Sequence, residues 1–431
     1  MRGCFSRILY LSFFTLVALP STFGPSVLAD GILRDGIGAI STGRGGTNLG
    51  FADNGNIILD NPGGMVNIDG RGLTELDLDV FFTDLTYADP DNARTDAADS
   101  PFPMGQISLI RKSDDGNVAY GFGVFSQAGF STRYNLNGPF PLVGPRVYKS
   151  VGAMMRILPS LSIALTPRLS VGATIGAAVS HTELEGPYFT QAQTPFRGTP
   201  TLLDLQATGP GLSWSVGGQY ILSPATTLGV SYQHATTINA DGTATLTVPG
   251  LGTSGFDLDM ATKWPSSLGV GLAHQATQCT TIAADVIWTP WSDAKDSYDL
   301  VFSNPSNPAF QATLGNAFPE VFPLNWRDSV AVRLGLQRQL SIGGVARAGY
   351  VYHRNVIPEE TLTPFIQATV EHSISFGYGW KVGDYGVDLG YQLMVGPDQK
   401  VGASDFVGGD FAGATSTTSA HWLLLSLIRR F

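Results

Sequence analysis

Cysteine is nearly missing: the 431 residues include two, Cys4 and Cys279. Cys4 falls in an N-terminal stretch read below as a signal peptide, so the mature chain keeps one thiol and can form no internal disulfide. Charge is scarce too, at 14% against 43% hydrophobic residues, and acids outnumber bases 35 to 25. That balance offers no basic surface to a phosphate backbone and argues against a nucleic-acid partner. The six His, at 181, 234, 274, 353, 372 and 421, show no metal-ligand spacing, so neither metal nor cofactor is expected. Gly43–Gly50 is glycine-rich but lacks the Gly-Lys-Ser/Thr of a phosphate loop. A spanning helix is also missing. The longest apolar run, Ile8 to Leu19, is too short for a hydrocarbon core about 30 Å thick. It follows Arg2 and Arg7 and precedes Val27-Leu28-Ala29, the pattern of a secretory signal peptide over 1–29. An exported chain without disulfides needs another source of stability, and a closed barrel, with every backbone group paired, supplies one.

What is present is period-two alternation. In 372–382, His372, Ile374, Phe376, Tyr378, Trp380 and Val382 alternate with Ser373, Ser375, Gly377, Gly379 and Lys381. The stretches 384–395 and 169–179 do the same. One face is large and aromatic and the other small and polar, which favours a membrane barrel over a soluble sandwich. Fourteen strands are read, at 71–87, 101–112, 117–132, 147–165, 168–183, 208–222, 226–247, 254–276, 279–300, 324–340, 343–356, 367–381, 384–397 and 418–431. Long connections (88–100, 133–146, 184–207, 248–253, 301–323, 357–366, 398–417) alternate with short ones such as Asp114-Asp115-Gly116 and Thr166-Pro167. Short periplasmic turns and long outer loops are the habit of bacterial outer-membrane barrels. The C-terminal strand ends on Phe431 with Leu423, Leu425 and Leu427 on its face; Arg429 departs from the apolar pattern. Ahead of the strands, Gly36–Asp69 is rich in Gly and Asn and keeps no long period, so it reads as compact loop that plugs the barrel. The expected class is therefore all-β: a transmembrane antiparallel barrel over 71–431, with an N-terminal hatch over 30–70 inside its lumen.

The ordered set Gly43-Arg44-Gly45-Gly46, Ala52-Asp53 and Asn61-Pro62-Gly63-Gly64-Met65 resembles the hatch of the FadL-type outer-membrane transporters of long-chain fatty acids and other hydrophobic compounds. Gly63 stands where that family usually has Ala. Lys263 to Gly271, Ala284 to Ser292, Trp326-Arg327-Asp328, Arg347 to Tyr350 and His372 to Gly377 follow in family order, while 184–207 and the loop after Val395 do not match. The resemblance implies the outer membrane of a Gram-negative bacterium, passive transport and no enzymatic activity. It also implies a hatch anchored by Asn61, Pro62 and Gly63, and a kinked third strand that opens the wall sideways. Here Phe125–Phe130 breaks phase, making Ser126, Gln127, Ala128 and Gly129 the expected lateral exit. Arg156 and Arg333, on inward faces, are the candidates to receive a ligand carboxylate. Phe140, Phe189, Phe196, Phe310 and Phe318 are the candidates for an outer-loop groove. Expected partners are a hydrophobic or fatty-acid ligand, outer-membrane lipids and the barrel assembly machinery, with the chain itself a monomer. Two alternatives stand beside this reading: a hydrophilic porin, and a barrel-type lipase.

Overall fold

The computed structural model describes residues 32–98, 101–191 and 195–431. The expected signal peptide lies outside them. Fourteen wall strands form one antiparallel sheet closed on itself. They are β1 (Gly72–Asp89), β2 (Phe102–Lys112), β3 (Val118–Asn137), β4 (Pro145–Ala164), β5 (Leu169–Phe189) and β6 (Pro200–Ser223). Four strands in two pieces follow: β7 (Thr226–Gln233, Thr236–Val248), β8 (Gly252–Trp264, Ser267–Thr277), β9 (Thr280–Thr289, Ser297–Ser303) and β10 (Ala317–Pro323, Ser329–Gln339). The last four are β11 (Val345–Tyr352), β12 (His372–Val382), β13 (Tyr385–Val395) and β14 (Thr415–Arg430). β14 pairs with β1 from Leu73↔Arg430 to Ala88↔Thr415, which closes the barrel.

The alternation has the expected consequence. On β1, Leu76 and Leu78 are over half exposed on the lipid side, whereas Glu75, Asp77 and Asp79 point inward and are buried. The hatch buries them. It holds two short helices, α1 (Gly38–Gly43) and α2 (Ile57–Asp60), and a 3-10 turn at Pro62–Asn67. Loop backbone leaves N–H groups without partners, and wall carboxylates meet them. Asp79 accepts from Gly38 N at 3.0 Å, Asp285 from Asn48 N and Leu49 N at 2.9 and 3.1 Å, and Glu75 from Gly55 N. Arg44 ties the hatch to itself. Its guanidinium donates to both Asp53 oxygens at 2.7 and 2.8 Å and to Asn48 Oδ1 at 2.6 Å, and stacks on Phe51. Burial raises the Asp53 carboxyl, but Arg44 outweighs it and holds Asp53 well below the usual carboxylate range. An apolar layer, Ile57, Ile58, Met65 and Val66 against Phe125 and Leu158, completes the seat.

The strands differ from the sequence reading where proline sits. Pro265, Pro290 and Pro323 each lack the N–H that a ladder needs, and β8, β9 and β10 break beside them. Connections differ as well: 184–207 shrinks to 190–199 and 301–323 to 304–316, because the paired strands run on to Phe189↔Pro200 and Ser303↔Ala317. The stretch 248–253 is a tight turn rather than a long loop, with Gly250 at φ 84°. β12 starts at His372, not 367, because 353–371 folds inward to bury Val356, Ile357, Leu362 and Phe365. That segment and 396–414, through Phe406 and Phe411, roof the barrel with packed aromatic rings.

Phe431 follows the last strand. Its carbonyl accepts from Arg71 N and Gly72 N at 2.6 and 2.9 Å, and its N–H donates to Gly72 O at 3.1 Å. Arg429 keeps its place by stacking over Tyr385. Deleting Phe431 removes three closing hydrogen bonds at once. The expected result is several-fold less heat-modifiable barrel in the outer-membrane fraction than after deletion of one residue from the 140–144 turn.

Candidate functional site

The wall is interrupted at one side. β2 pairs with β3 from Lys112↔Ala119 up to Gln106↔Phe125, and the register ends there. Gln127 is an extra residue in β3, shifting its register on β4 between Ser126 and Ala128. A bulge of this kind bends the strand and unpairs the ladder locally. Phe102 to Gly105 stay paired with β1, so β2 continues without β3. Contact with β3 resumes at Ala98 N, which donates to Arg133 O at 2.8 Å. Gly129 lies in the resulting gap, across from Phe102 and Met104. Ser126, Gln127, Ala128 and Gly129 thus sit together on its edge.

Behind the gap, a small space lies between residues 32–34 and the wall. Its lining includes Phe81, Gly129, Phe130, Ile366, Met394 and Trp422, an apolar set. A strap at the start of the hatch runs beside it. Leu33 bridges to Ala128, and Arg34 N donates to Gln127 O at 3.2 Å. The Arg34 guanidinium pairs with Asp79 and stacks 4.1 Å over Trp422. Nothing in the sequence pointed to this strap, because residues 32–34 form no motif and their partners lie 45 or more positions away.

The two arginines proposed for a ligand carboxylate part company. Arg333 is already committed to the hatch. It donates to Gly46 O at 3.4 Å and lies 4.0 Å from Asp35, so it is not available to a ligand. Arg156 is buried on β4, donates to Ser213 Oγ at 3.0 Å, and has no carboxylate partner among the described residues. A second such cation is Lys295, which the sequence reading missed. It lies in the 290–296 segment that interrupts β9, flanked by exposed Ser292, Asp293 and Asp296. Its ammonium donates to Thr262 Oγ1 at 2.6 Å and faces the rings of Tyr298 at 4.7 Å and Trp264 at 5.0 Å. Burial pushes its pKa down to about 7. Arg156 pairs with Ala178 on β5, and Ser180, two residues on, accepts from the Trp264 indole at 3.3 Å. Arg156 Nε, Thr236 Oγ1 and Trp291 Nε1 are buried nitrogen and oxygen atoms with no hydrogen-bond partner among the described residues. The signal available in the sequence was Pro290: it marks where alternation stops, so Lys295 need not follow the strand's faces.

The five phenylalanines do not share one groove. Phe196, Phe310 and Phe318 line a single open space of about 1600 Å³ among the outer loops, with Phe310 on α3 (Pro308–Leu314). Phe140 is 83% exposed in a separate turn. Phe189 packs beneath Gly408 of the roof instead. At the opposite end, Asn61, Pro62 and Gly63 press against the wall. Asn61 donates to Gly218 O at 3.1 Å and to Leu49 O at 2.8 Å. A Cβ on Gly63 would lie 2.6 Å from Gly217 O and Gly218 Cα, so this contact requires glycine.

These features match known proteins. Comparison against curated proteins finds no match. Among solved structures, the chain is similar to the Pseudomonas putida toluene transporter TodX, with TM-score 0.74 and 21% identity over 93% of this chain and 100% of that one. A FadL homologue of Pseudomonas aeruginosa gives TM-score 0.73 at 16% identity, over 93% of this chain and 100% of that one. The Ralstonia pickettii toluene transporter TbuX gives 0.70 at 20%, over 92% and 99%. At these identities the likeness speaks for the fold. The family model for outer membrane protein transport proteins (OMPP1/FadL/TodX) matches residues 32–431. Barrel, hatch and sequence profile agree: the chain belongs to the OMPP1/FadL/TodX family of outer-membrane channels for hydrophobic compounds.

Proposed function

We propose that this chain sits in the outer membrane of a Gram-negative bacterium and passes hydrophobic molecules with an anionic head, of the long-chain fatty-acid class, sideways into the bilayer. The reading rests chiefly on one observation: an apolar cavity beside the hatch borders the place where the β2–β3 ladder stops. Capture begins in the outer groove of Phe196, Phe310 and Phe318. The carboxylate then meets Arg156 and Lys295, and the tail reaches the cavity. Release runs through the gap at Ser126–Gly129 once the Leu33–Arg34 strap lets go. No step makes or breaks a covalent bond, and the driving force is the concentration gradient.

The preference for a carboxylate follows from the two buried cations, which have no acidic partner among the described residues. A buried charge is costly unless paired, and an incoming carboxylate pairs it. A second reading, an uncharged monoaromatic ligand, draws on the toluene transporters named above and on the rings of Phe81, Phe130 and Trp422 around the cavity.

Uptake of radiolabelled fatty acid and of toluene by cells expressing the double variant Arg156→Met, Lys295→Met separates the two. Hydrogen bonds to charged groups contribute about 1.5–3 kcal/mol each, so losing both should lower fatty-acid uptake on the order of 100-fold or more. Toluene uptake should be unchanged. Unaltered fatty-acid uptake would favour the uncharged ligand. A pH dependence accompanies the first outcome. With its pKa lowered to about 7, Lys295 is charged below that pH and neutral above it. Carboxylate binding above pH 7 must therefore take up a proton, and affinity falls by up to about tenfold per pH unit. Binding titrations of the purified protein at pH 6 and 8 check this, with Lys295→Met removing the dependence.

A further inference from the structure

We infer that the lipid-facing wall of β4–β7 carries a binding site for a phospholipid of the periplasmic leaflet, separate from the transport route. The barrel's outer face is a band of exposed Leu, Ile and Val, including Leu212 at 62% and Ile175 at 63%. Within that band lies an open, shallow dent. Its floor is made where Ala173 and Gly218 occupy lipid-facing positions, and Ile163, Val171, Val216 and Val230 form its rim. These residues lie within the last eight of β4 and β6 or the first five of β5 and β7, close to the periplasmic turns. The surroundings at that depth are hydrocarbon of the inner leaflet. A concave apolar slot admits an acyl chain, whereas the convex wall of a second barrel would not reach its floor.

Charge selects the headgroup. The β4–β5 turn, 165–168, lies directly below the dent and presents Arg168, which is exposed and has no ion-pair partner among the described residues. It is three residues from Val171, about 10 Å of extended chain. That is the separation between a lipid phosphate at the membrane boundary and the upper part of its acyl chains. Arg168 thus stands where a phosphate falls when a chain fills the dent. The site also touches the hatch through the wall. Gly218, on the floor, uses its carbonyl to accept the Asn61 amide at 3.1 Å from the lumen side.

The full chain, purified from outer membranes in mild detergent, tests this by native mass spectrometry. The wild type should retain one phospholipid through detergent exchange. Ala173→Phe fills the floor from an exposed position and should lower that occupancy at least fivefold, with heat-modifiable mobility confirming an intact barrel. Ile175→Ala, outside the dent, should retain lipid as the wild type does. Added phosphatidylglycerol and phosphatidylethanolamine, in equal amounts, should bind the wild type with a preference for the anionic lipid that Arg168→Gln removes. A wild type without retained phospholipid, equal retention in Ala173→Phe, an unchanged headgroup preference in Arg168→Gln, or a dimer cross-linked through the dent would each overturn the assignment.

Discussion

Gly129→Phe is expected to reduce uptake of a long-chain fatty acid tenfold or more while the barrel still assembles. Gly129 lies in the gap where β2 and β3 part, and a side chain there grows into the opening. Its Cβ would lie 2.8 Å from Met104 Sδ and 2.9 Å from Phe102 Cε1. Both atoms are far ends of flexible side chains, so the wall can adapt and the cost falls on the opening rather than the fold. The size of the effect comes from the alternative route. A ligand leaving straight into the periplasm gives up about 0.8 kcal/mol per methylene to water. For roughly a dozen methylenes that is about 10 kcal/mol, more than a modest pocket offsets. Sideways release keeps the chain in apolar surroundings throughout. The measurement is uptake in cells, with heat-modifiable mobility of the purified variant as the control for assembly. Normal uptake with the gap filled would send the exit elsewhere, towards a rearranged hatch around Asn61 and Pro62.

Gly63→Val should loosen the hatch and raise ion conductance in planar bilayers well above that of the wild type. The added Cβ would meet Gly217 O and Gly218 Cα at 2.6 Å, and a valine adds two methyl groups beyond it. Those atoms belong to a wall strand held on both sides by β5 and β7, so the wall cannot give way and the hatch must. Overpacking costs about 1–3 kcal/mol. The displaced turn also loses the Asn61–Gly218 hydrogen bond, one of its ties to the wall. Deletion of Gly36–Asn67 sets the upper limit of the conductance. The wild type should stay near closed. If it already conducts like an open pore, the hatch does not occlude the lumen and the porin alternative gains. If Gly63→Val conducts no more than the wild type, the seal does not depend on this contact.

Much of this architecture could be read along the chain. Alternation on β1, β5, β12 and β13 depends on the pleat alone, which sends successive side chains to opposite faces. A lumen lined by Glu75, Asp77 and Asp79 and a lipid face of Leu76 and Leu78 follow from that period. The hatch was legible as a stretch without period, and the breaks in β8, β9 and β10 were written in their prolines. The phase break at Phe125–Phe130 was visible as well, but not that β2 would run on without its partner.

The remainder was decided only by tertiary structure, because it turns on which strands meet and at what register. Arg156 and Arg333 look alike from their faces. One is left without a carboxylate, while the other reaches Gly46 and Asp35 of a hatch nearly 300 residues away. Phe196, Phe310 and Phe318 share a groove because two distant stretches, 190–197 and 310–321, fold together, while Phe140 and Phe189 go elsewhere. Lys295 became a candidate when the interrupted β9 turned it into a box of Thr262, Trp264 and Tyr298. Local pattern fixes the direction in which a side chain points. Barrel closure and hatch docking determine what it meets there, and a contact across hundreds of residues leaves no period in the chain.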